Sequence, residues 1–314
     1  MLQGCKLFCL KRMKLVQSAK MKRYIISLAV VVVLGGGGMI LWKKMGQYEK
    51  PPVPEQVSFR DLARDDIGIK LDEEEISEVS EVDLIEEEVG DEFEADSPQP
   101  VEVPEELNLA APFYAQAPFA NWDYPWQEAC EEASILLAAN VYFEHEWTAE
   151  EFNEEILDMV DWQNEVFGDY WHTDMVQTAR ILDEHLGLES VMHEDPTFED
   201  LKQLLAKGHF LIMPFDGKAM NNPFFVNGGP EYHVVLVKGY TADGGLITHD
   251  VGTRRGADYV YDWDVLDGAL HDYVAGQPIQ TGPRRFLEVL PPAVDAAADV
   301  TNTDEGTKLS GDAL

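Results

Sequence analysis

The order in which helical and strand patterns occur restricts the fold of this chain more than any other feature. Between residues 130 and 206 apolar residues recur at helical spacing behind capping signals at Thr148, Thr173-Asp174 and Thr197. From residue 209 onward, short apolar and β-branched runs alternate with turn signals. Helices first and a run of strands second predict an α+β domain over residues 107–290, with N-terminal helices packed on a C-terminal antiparallel sheet.

The N-terminal segment has the pattern of a membrane anchor. Residues 1–23 contain seven Lys and Arg residues, and Tyr24–Trp42 is then free of charge. As a helix this stretch is about 28 Å long, close to the hydrocarbon thickness of a bilayer. The basic flank predicts a cytoplasmic N-terminus, a transmembrane helix over residues 24–42 and an extracytoplasmic main domain. A cleaved signal peptide is the alternative, since it shares the basic start and apolar middle.

Charge is strongly uneven along the rest of the chain. The net charge is −36, and residues 45–106 alone contribute −18, with few aromatic residues and several prolines. That composition predicts a disordered acidic linker over residues 43–106. Residues 291–314, rich in Ala, Asp and Thr, predict a disordered tail. The acidic domain would repel nucleic acid, so nucleic-acid binding is excluded as its function.

Cys130 is the single cysteine outside the first nine residues. Apolar residues follow it at Ile135, Leu136 and Ala139, which predicts a helix that begins near Cys130 and buries one apolar face. A thiol in a first helical turn experiences the positive end of the helix dipole, which favours the nucleophilic thiolate. The alternative is a buried structural cysteine, because free cysteines are among the most buried residues.

A nucleophilic cysteine needs a base and a group that orients the base. His233 heads the strongest strand pattern, residues 232–240, and Asp250 ends the next one after the turn Asp243-Gly244-Gly245. If these strands pair, both side chains lie at the same edge of the sheet. Considered separately, His233 reads as an ordinary core or surface residue and Asp250 as a turn residue.

Several short motifs, taken in order, resemble one family of proteins. They are Pro112-Phe113-Tyr114-Ala115-Gln116, the Cys130 helix, Gly208–Ile212, Tyr232–Tyr240 and Thr248-His249-Asp250. Together they are similar to the papain-like bacterial cysteine peptidases related to the double-glycine leader peptidases that process bacteriocins (cysteine peptidase family thirty-nine). The resemblance covers about residues 107–275 and implies a papain-like fold.

The same resemblance implies roles for individual residues. Cys130 is expected to be the nucleophile, His233 the general base and Asp250 the orienting acid. An upstream glutamine would donate to the oxyanion, and Gln116 matches it best, with Gln127 as the second candidate. Relatives commonly have Gly and Pro directly after the cysteine, where this chain has Glu131-Glu132. Two carboxylates there would raise the pKa of the thiol.

Other kinds of site have weaker support. The remaining histidines do not show the spacing of zinc ligands, so neither a metal nor another cofactor is predicted. Aromatic residues are the candidates for a substrate groove, with the hydrophobic core as the alternative. They are Trp122, Trp126, Trp162, Trp171 and Phe224-Phe225.

The sequence therefore predicts a membrane-anchored extracytoplasmic cysteine peptidase-like hydrolase acting on a peptide or protein substrate. A catalytically inactive domain of the same fold, binding peptide or cell-wall material at the cell surface, is the alternative. An amidase or acyltransferase would use the same three residues, Cys130, His233 and Asp250.

Overall fold

The computed structural model describes residues 50–66 and 102–292. A small compact unit contains residues 50–52 and Asn222–Gly228, and the remaining described residues form a second, larger unit. In the small unit Val226–Gly228 makes a 3-10 turn. Over the two described ranges no helix is long and apolar enough to cross a membrane. The predicted span 24–42, the basic segment 1–23 and residues 293–314 of the predicted tail lie outside them.

The larger unit combines helices with one antiparallel sheet. Its helices are α1 (Phe59–Asp66), α2 (Cys130–Tyr142), α3 (Ala149–Val166), α4 (Met175–Arg180, continued as a π-helix over Ile181–Leu186), α5 (Phe198–Ala206) and α6 (Trp263–Ala269). Its strands are β1 (Leu107–Asn108), β2 (Ser190–Glu194), β3 (Phe210–Phe215), β4 (His233–Tyr240), β5 (Gly245–His249), β6 (Tyr259–Asp262) and β7 (Arg285–Val289). The predicted α+β class agrees with this composition.

Strand β4 is the central strand of the sheet. The strand order is β2-β7-β3-β4-β5-β6, and β1 also pairs with β4. Every residue of β4 is buried, as its continuous apolar pattern requires. Gly239 permits the pairing with β1, because a Cβ there would lie 2.1 Å from the carbonyl oxygen of Leu107. Helix α2 packs against this strand, and Ser134 Oγ donates to the carbonyl oxygen of Val234 at 3.2 Å.

The capping signals predict three helix starts correctly. Thr148, Asp174 and Thr197 are the N-caps of α3, α4 and α5, and each forms a reciprocal capping box with the residue three positions later. Gly187 ends the helical segment after α4 with φ 69°, as its position predicts.

Two elements depart from the helices-then-strands order. Strand β2 lies between α4 and α5, and helix α6 follows β6. Neither has a strong local pattern: β2 is a partly exposed strand at the end of the sheet, and α6 has seven residues. The pairing of β2 with β7 is what makes it a strand, and this contact between distant segments has no local sequence signal.

Helix α2 is buried more completely than predicted. The sequence predicts one apolar face, whereas every residue of α2 except Val141 is buried. It contacts β4 and β3, α3 and the turn that precedes it. The single-face prediction is wrong because the helix lies inside the unit rather than at its surface, which also buries the polar residues of its first turn.

Part of the predicted linker contacts the rest of the larger unit. The backbone N–H of Val57 donates to Asn108 at 2.9 Å, and Ala110 donates back to Val57 at 2.8 Å. The Phe59 side chain is buried and meets the Tyr142 ring edge-on at 4.9 Å. Val57 and Phe59, which fall within the predicted linker 43–106, therefore contact β1 and α2. Two apolar residues in an acidic, proline-rich segment lack periodicity, so the sequence gives no signal for their docking.

Candidate active site

Cys130 is the first residue of α2, as predicted, and its side chain is buried against β4. A 3-10 turn over Trp126–Glu128 leads into the helix, and Ala129 occupies the N-cap without a side chain that could cap the first turn. The Cys130 thiol donates to Glu131 Oε2 at 3.0 Å. A hydrogen bond with the backbone of Val234 also reaches the sulfur. That bond places the thiol next to the start of β4.

His233 is the first residue of β4, and it is paired with Asp250 directly after β5. His233 Nε2 lies 2.8 Å from Asp250 Oδ1, with the two residues only 1% and 0% exposed. Strands β4 and β5 pair antiparallel, with Leu236 opposite His249. This register brings the beginning of one strand and the end of the other to the same edge of the sheet.

Asp250 is held by donors that the sequence analysis did not identify. The Tyr261 hydroxyl donates to Oδ2, and the backbone N–H of Gly252 donates to Oδ1 at 3.0 Å. The backbone of Asp250 donates to the carbonyl of Gly256 at 3.0 Å, and a Cβ at Gly256 would lie 1.7 Å from the Asp250 carbonyl oxygen. Tyr261 reaches Asp250 through the pairing of β5 with β6, which no local motif reveals.

Gln116 connects the two halves of this region. Its backbone N–H donates to Val251 at 3.0 Å. Its side-chain amide donates to the carbonyl oxygens of Trp126 at 2.9 Å and Gln127 at 3.1 Å. Gln116 Oε1 is buried without a hydrogen-bond partner. The second predicted donor, Gln127, is exposed and its amide contacts Glu128. Of the two glutamines, Gln116 is the one buried between the Asp250 loop and the Cys130 turn.

Comparison with known proteins identifies the family. The model of the Peptidase_C39 like family matches residues 108–274. The chain belongs to this family. It is also similar to the crystal structure of a putative C39-like peptidase from Bacillus anthracis, with 12% sequence identity and a TM-score of 0.38, covering 57% of this chain and 94% of that one. No curated protein matches the sequence.

In this member of the Peptidase_C39 like family, the surroundings of Cys130 favour the protonated thiol. Burial raises the pKa of Cys130 well above its usual value, and the neighbouring Glu131 carboxylate raises it further. The expectation that the helix dipole would favour the thiolate is wrong for this state, because desolvation and an adjacent negative charge outweigh it. The predicted direction of the Glu131-Glu132 effect agrees with the structure.

The two carboxyl groups after Cys130 are themselves buried. Glu131 is 1% exposed and Glu132 is fully buried. Burial raises the pKa of Glu131 well above its usual range, and that of Glu132 to about 7. Glu132 Oε1 accepts from Gln163 Nε2 at 2.5 Å, and Gln163 Oε1 accepts from Thr173 at 2.8 Å. Glu131 Oε1 and Glu132 Oε2 lack partners.

The aromatic residues predicted to line a groove fall into different environments. Trp171 is exposed and stacks on exposed Tyr124 with ring centroids 5.0 Å apart. Trp122 is also exposed. Trp126 instead donates to Asn153 at 2.8 Å, and Trp162 packs edge-on against Phe167. Phe224-Phe225 belong to the separate small unit.

A metal site has no structural support within residues 50–66 and 102–292, where no group of three or more His, Cys, Asp or Glu side chains is arranged to hold an ion. Cys130, His233 and Asp250 lie in those ranges.

Proposed function

We propose that this protein is a cysteine peptidase-like hydrolase in which Cys130 attacks a peptide or related amide carbonyl. His233 transfers the protons, and Asp250 orients His233. Membership of the Peptidase_C39 like family supports the reaction class. The observation that carries the proposal is the buried 2.8 Å contact between His233 and Asp250. His233 begins β4, and the next residue of that strand, Val234, hydrogen-bonds to the Cys130 sulfur.

The His233–Asp250 contact suits the role of a base. A carboxylate beside Nε2 favours the tautomer with the proton on Nε2, which gives Nδ1 the lone pair that accepts a proton. Three further hydrogen bonds hold Asp250 and its loop, from Tyr261, from Gly252 and to Gly256, so the imidazole has a fixed orientation. Water would then release the acyl-enzyme formed on Cys130.

In this proposal Gln116 has two roles. Its amide holds the turn that precedes Cys130, and it is the upstream donor for the oxyanion, together with the backbone N–H of Cys130. The amide hydrogens now donate to the carbonyls of Trp126 and Gln127, so a bound substrate must compete for one of them. Replacing Gln116 with Leu should therefore lower hydrolysis through both loop position and charge stabilisation.

We also propose that residues 24–42 anchor the protein in a membrane with the hydrolase domain outside the cytoplasm. The support is the uncharged 19-residue stretch with seven positive charges before it. Protease added to intact cells should then degrade the domain while the extreme N-terminus remains protected. Protection of the whole chain would contradict this orientation, and a mature mass that lacks residues 1–42 would indicate a cleaved signal peptide.

A second candidate function is binding without catalysis. It is favoured by the burial of the Cys130 thiol, whose pKa is raised by that burial and by Glu131. In that case the domain would hold peptide or cell-wall material without cleaving it.

Hydrolysis of a mixed pool of synthetic peptides, followed by mass spectrometry, separates the two candidates. The wild-type full chain should produce fragments, whereas Cys130→Ser and His233→Ala should reduce their rate of formation by at least 100-fold. His145→Ala, which changes an exposed histidine, is the matched control and should leave the rate unchanged. Equal fragment yields from wild type and Cys130→Ser would reject the hydrolase. Peptide binding without cleavage, equal in both proteins, would support the binding function.

A further inference from the structure

The contact between Cys130 and Glu131 is an arrangement that the proposed triad does not use. The thiol donates to Glu131 Oε2 at 3.0 Å. The other carboxylate oxygen, Oε1, is buried and has no hydrogen-bond partner, and the residue as a whole is only 1% exposed. A buried carboxylate with an unsatisfied oxygen is costly. A group kept in that state directly beside a candidate nucleophile is a candidate for a chemical role.

The surroundings of this pair are mainly acidic. Glu128 lies in the preceding turn, Glu132 follows on α2, and Tyr232, directly before β4, faces the pair. Tyr232 in turn donates to Asp272 from the segment before β7. Glu128 also lies 3.8 Å from His172, which belongs to the segment before α4. These neighbours favour states in which the Cys130–Glu131 pair has no more than one negative charge.

We propose that Glu131 is a further catalytic residue, the group that accepts the proton of the Cys130 thiol when the nucleophile forms. In this step the S–H bond breaks and an O–H bond forms at Oε2. The negative charge passes from carboxylate to sulfur, and the net charge of the pair stays at −1. When the C–N bond of a substrate breaks, the leaving nitrogen takes that proton and restores the carboxylate. This role rests on the proposed hydrolase function and divides its proton transfers: Glu131 serves the attack of Cys130 and the departure of the leaving nitrogen, and His233 serves the step in which water releases the acyl-enzyme.

Burial explains why a carboxylate is suited to this task here. Transfer from Cys130 to His233 would create two opposite charges in a region closed to water, whereas transfer to Glu131 only moves a charge that is already present. Burial and the nearby Glu132 also raise the pKa of Glu131 well above its usual range, so its carboxylate is a stronger base than an exposed one. The thiol and carboxyl groups titrate as one unit, because each changes the proton affinity of the other.

The pH dependence of alkylation tests the pair itself. The full chain is treated with iodoacetamide over a pH series, and the peptide that contains Cys130 is quantified by mass spectrometry. Glu131→Gln removes the charge beside the sulfur, so its alkylation midpoint should fall by one pH unit or more, with at least ten-fold faster alkylation at neutral pH. Glu132→Gln is the matched control. The Glu132 side chain is hydrogen-bonded to Gln163 and the thiol to Glu131, so this substitution should shift the alkylation midpoint less. Coincident wild-type and Glu131→Gln profiles would overturn the proposal.

Hydrolysis of the peptide pool tests the catalytic role. Glu131→Gln should lower kcat at least ten-fold even though its thiol is alkylated faster, and Glu131→Asp, which keeps the carboxylate, should recover part of that loss. If Glu131→Gln instead raises hydrolysis in step with alkylation, Glu131 only restrains the thiol and the proposal is wrong. Glu131→Asp also provides a readout if Glu131→Gln fails to fold, because the shorter side chain moves the carboxylate relative to the thiol. A Glu131→Asp variant with wild-type kcat and an unchanged alkylation midpoint would contradict proton transfer to the carboxylate at this position.

The two arms separate failure of this inference from failure of the proposed function. If the wild type hydrolyses none of the peptides, the hydrolase proposal fails and the catalytic role of Glu131 fails with it. The alkylation profiles then still decide whether Glu131 holds the thiol proton. If the wild type is active and the Glu131 variants hydrolyse at the wild-type rate, only the inference about Glu131 is rejected.

Discussion

Two groups of buried acids, one on each side of the candidate site, differ in how well they are hydrogen-bonded. Asp250 and Asp272 belong to the strand-rich half, and Glu131 and Glu132 belong to the first turn of α2. All four are at most 1% exposed. Asp250 and Asp272 each accept hydrogen bonds from several donors, whereas Glu131 and Glu132 each have one oxygen without a hydrogen-bond partner.

Asp272 illustrates the satisfied kind. It accepts from Arg285 Nε at 2.5 Å, from the backbone of Met175 at 3.1 Å and from the backbone of Tyr273 at 2.8 Å. The Tyr232 hydroxyl also donates to it at 3.2 Å. These bonds join α4, the residue before β4, and β7. They offset part of the cost of burying the aspartate, although burial still raises the pKa of Asp272.

Glu131 and Glu132 illustrate the other kind. Their donors are the Cys130 thiol and Gln163, and the remaining oxygens are unpaired. Burial raises the pKa of both groups, as it does for Asp272, so it is the unpaired oxygens that distinguish the glutamates. The comparison teaches that acids of equal burial differ in purpose: fully paired ones stabilise the fold, and under-paired ones beside a thiol are typical of a reactive site.

Asp250→Asn should produce the largest effect, on hydrolysis of the peptide pool. An amide cannot replace the carboxylate that fixes the His233 tautomer, so the rate should fall by about 100- to 10,000-fold. Asp243→Asn, in an exposed turn, is the matched control. A rate within three-fold of wild type, in a protein that unfolds normally, would show that Asp250 does not orient the base.

Asp272→Ala should give the largest loss of stability. Removing the carboxylate leaves the Arg285 charge and the Tyr232 hydroxyl without their partner, which costs about 3–5 kcal/mol of the free energy of unfolding. Asp267→Ala breaks the partly exposed pair with Arg284 and should cost less than about 1 kcal/mol. Urea unfolding measures the free energy of unfolding of both variants. Equal losses would show that the buried pair at Asp272 stabilises the protein no more than the partly exposed pair at Asp267.

Glu132→Gln should stabilise the protein in a pH-dependent way. The folded pKa of Glu132 is about 7, against a usual value of 4.5, so the folded state holds its proton more tightly. Wild-type stability therefore falls as pH rises from about 4.5 through about 7. The gain on substitution should be near zero in acid and on the order of 3 kcal/mol above neutral pH. Unfolding measured across the pH range checks this, and a pH-independent difference would contradict it.

Gln163→Leu should have a smaller effect in the opposite direction. It removes the donor to Glu132 Oε1 and the acceptor for Thr173, which costs about 1–3 kcal/mol above neutral pH. The loss should shrink in acid, where Glu132 is protonated. Asn164→Leu, next on α3 and exposed, is the control and should change stability by less than about 0.5 kcal/mol. Identical pH profiles for the two variants would show that Gln163 does not stabilise the Glu132 carboxylate.

Local signals in the sequence predict much of the fold. The capping residues Thr148, Asp174 and Thr197 mark helix starts correctly, because a cap is a contact within four residues. The strand patterns around His233 and Phe286 are likewise observed as β4 and β7. The docking of Val57 and Phe59 and the strand at Ser190–Glu194 are not predicted, since each depends on a partner far along the chain.

The candidate site divides in the same way. The sequence selects Cys130, His233, Asp250 and Gln116 through their residue types and their resemblance to a family. Tyr261 as a donor to Asp250, and the contacts of the Gln116 amide with the turn before Cys130, appear only in the structure. They depend on strand register and on how two loops meet, and a pattern along the chain does not encode these directly.

The sequence by itself determined the α+β class, the helix that begins at Cys130 and the identity of the chemically capable residues, because short-range patterns specify secondary structure and residue type. Tertiary structure alone decided that α2 is buried on nearly all sides. That burial places Glu131 and Glu132 out of reach of water, raises the pKa of the thiol beside them and joins Cys130 to a carboxylate. Desolvation is a property of the packed unit, so the protonation state of the site follows from the fold.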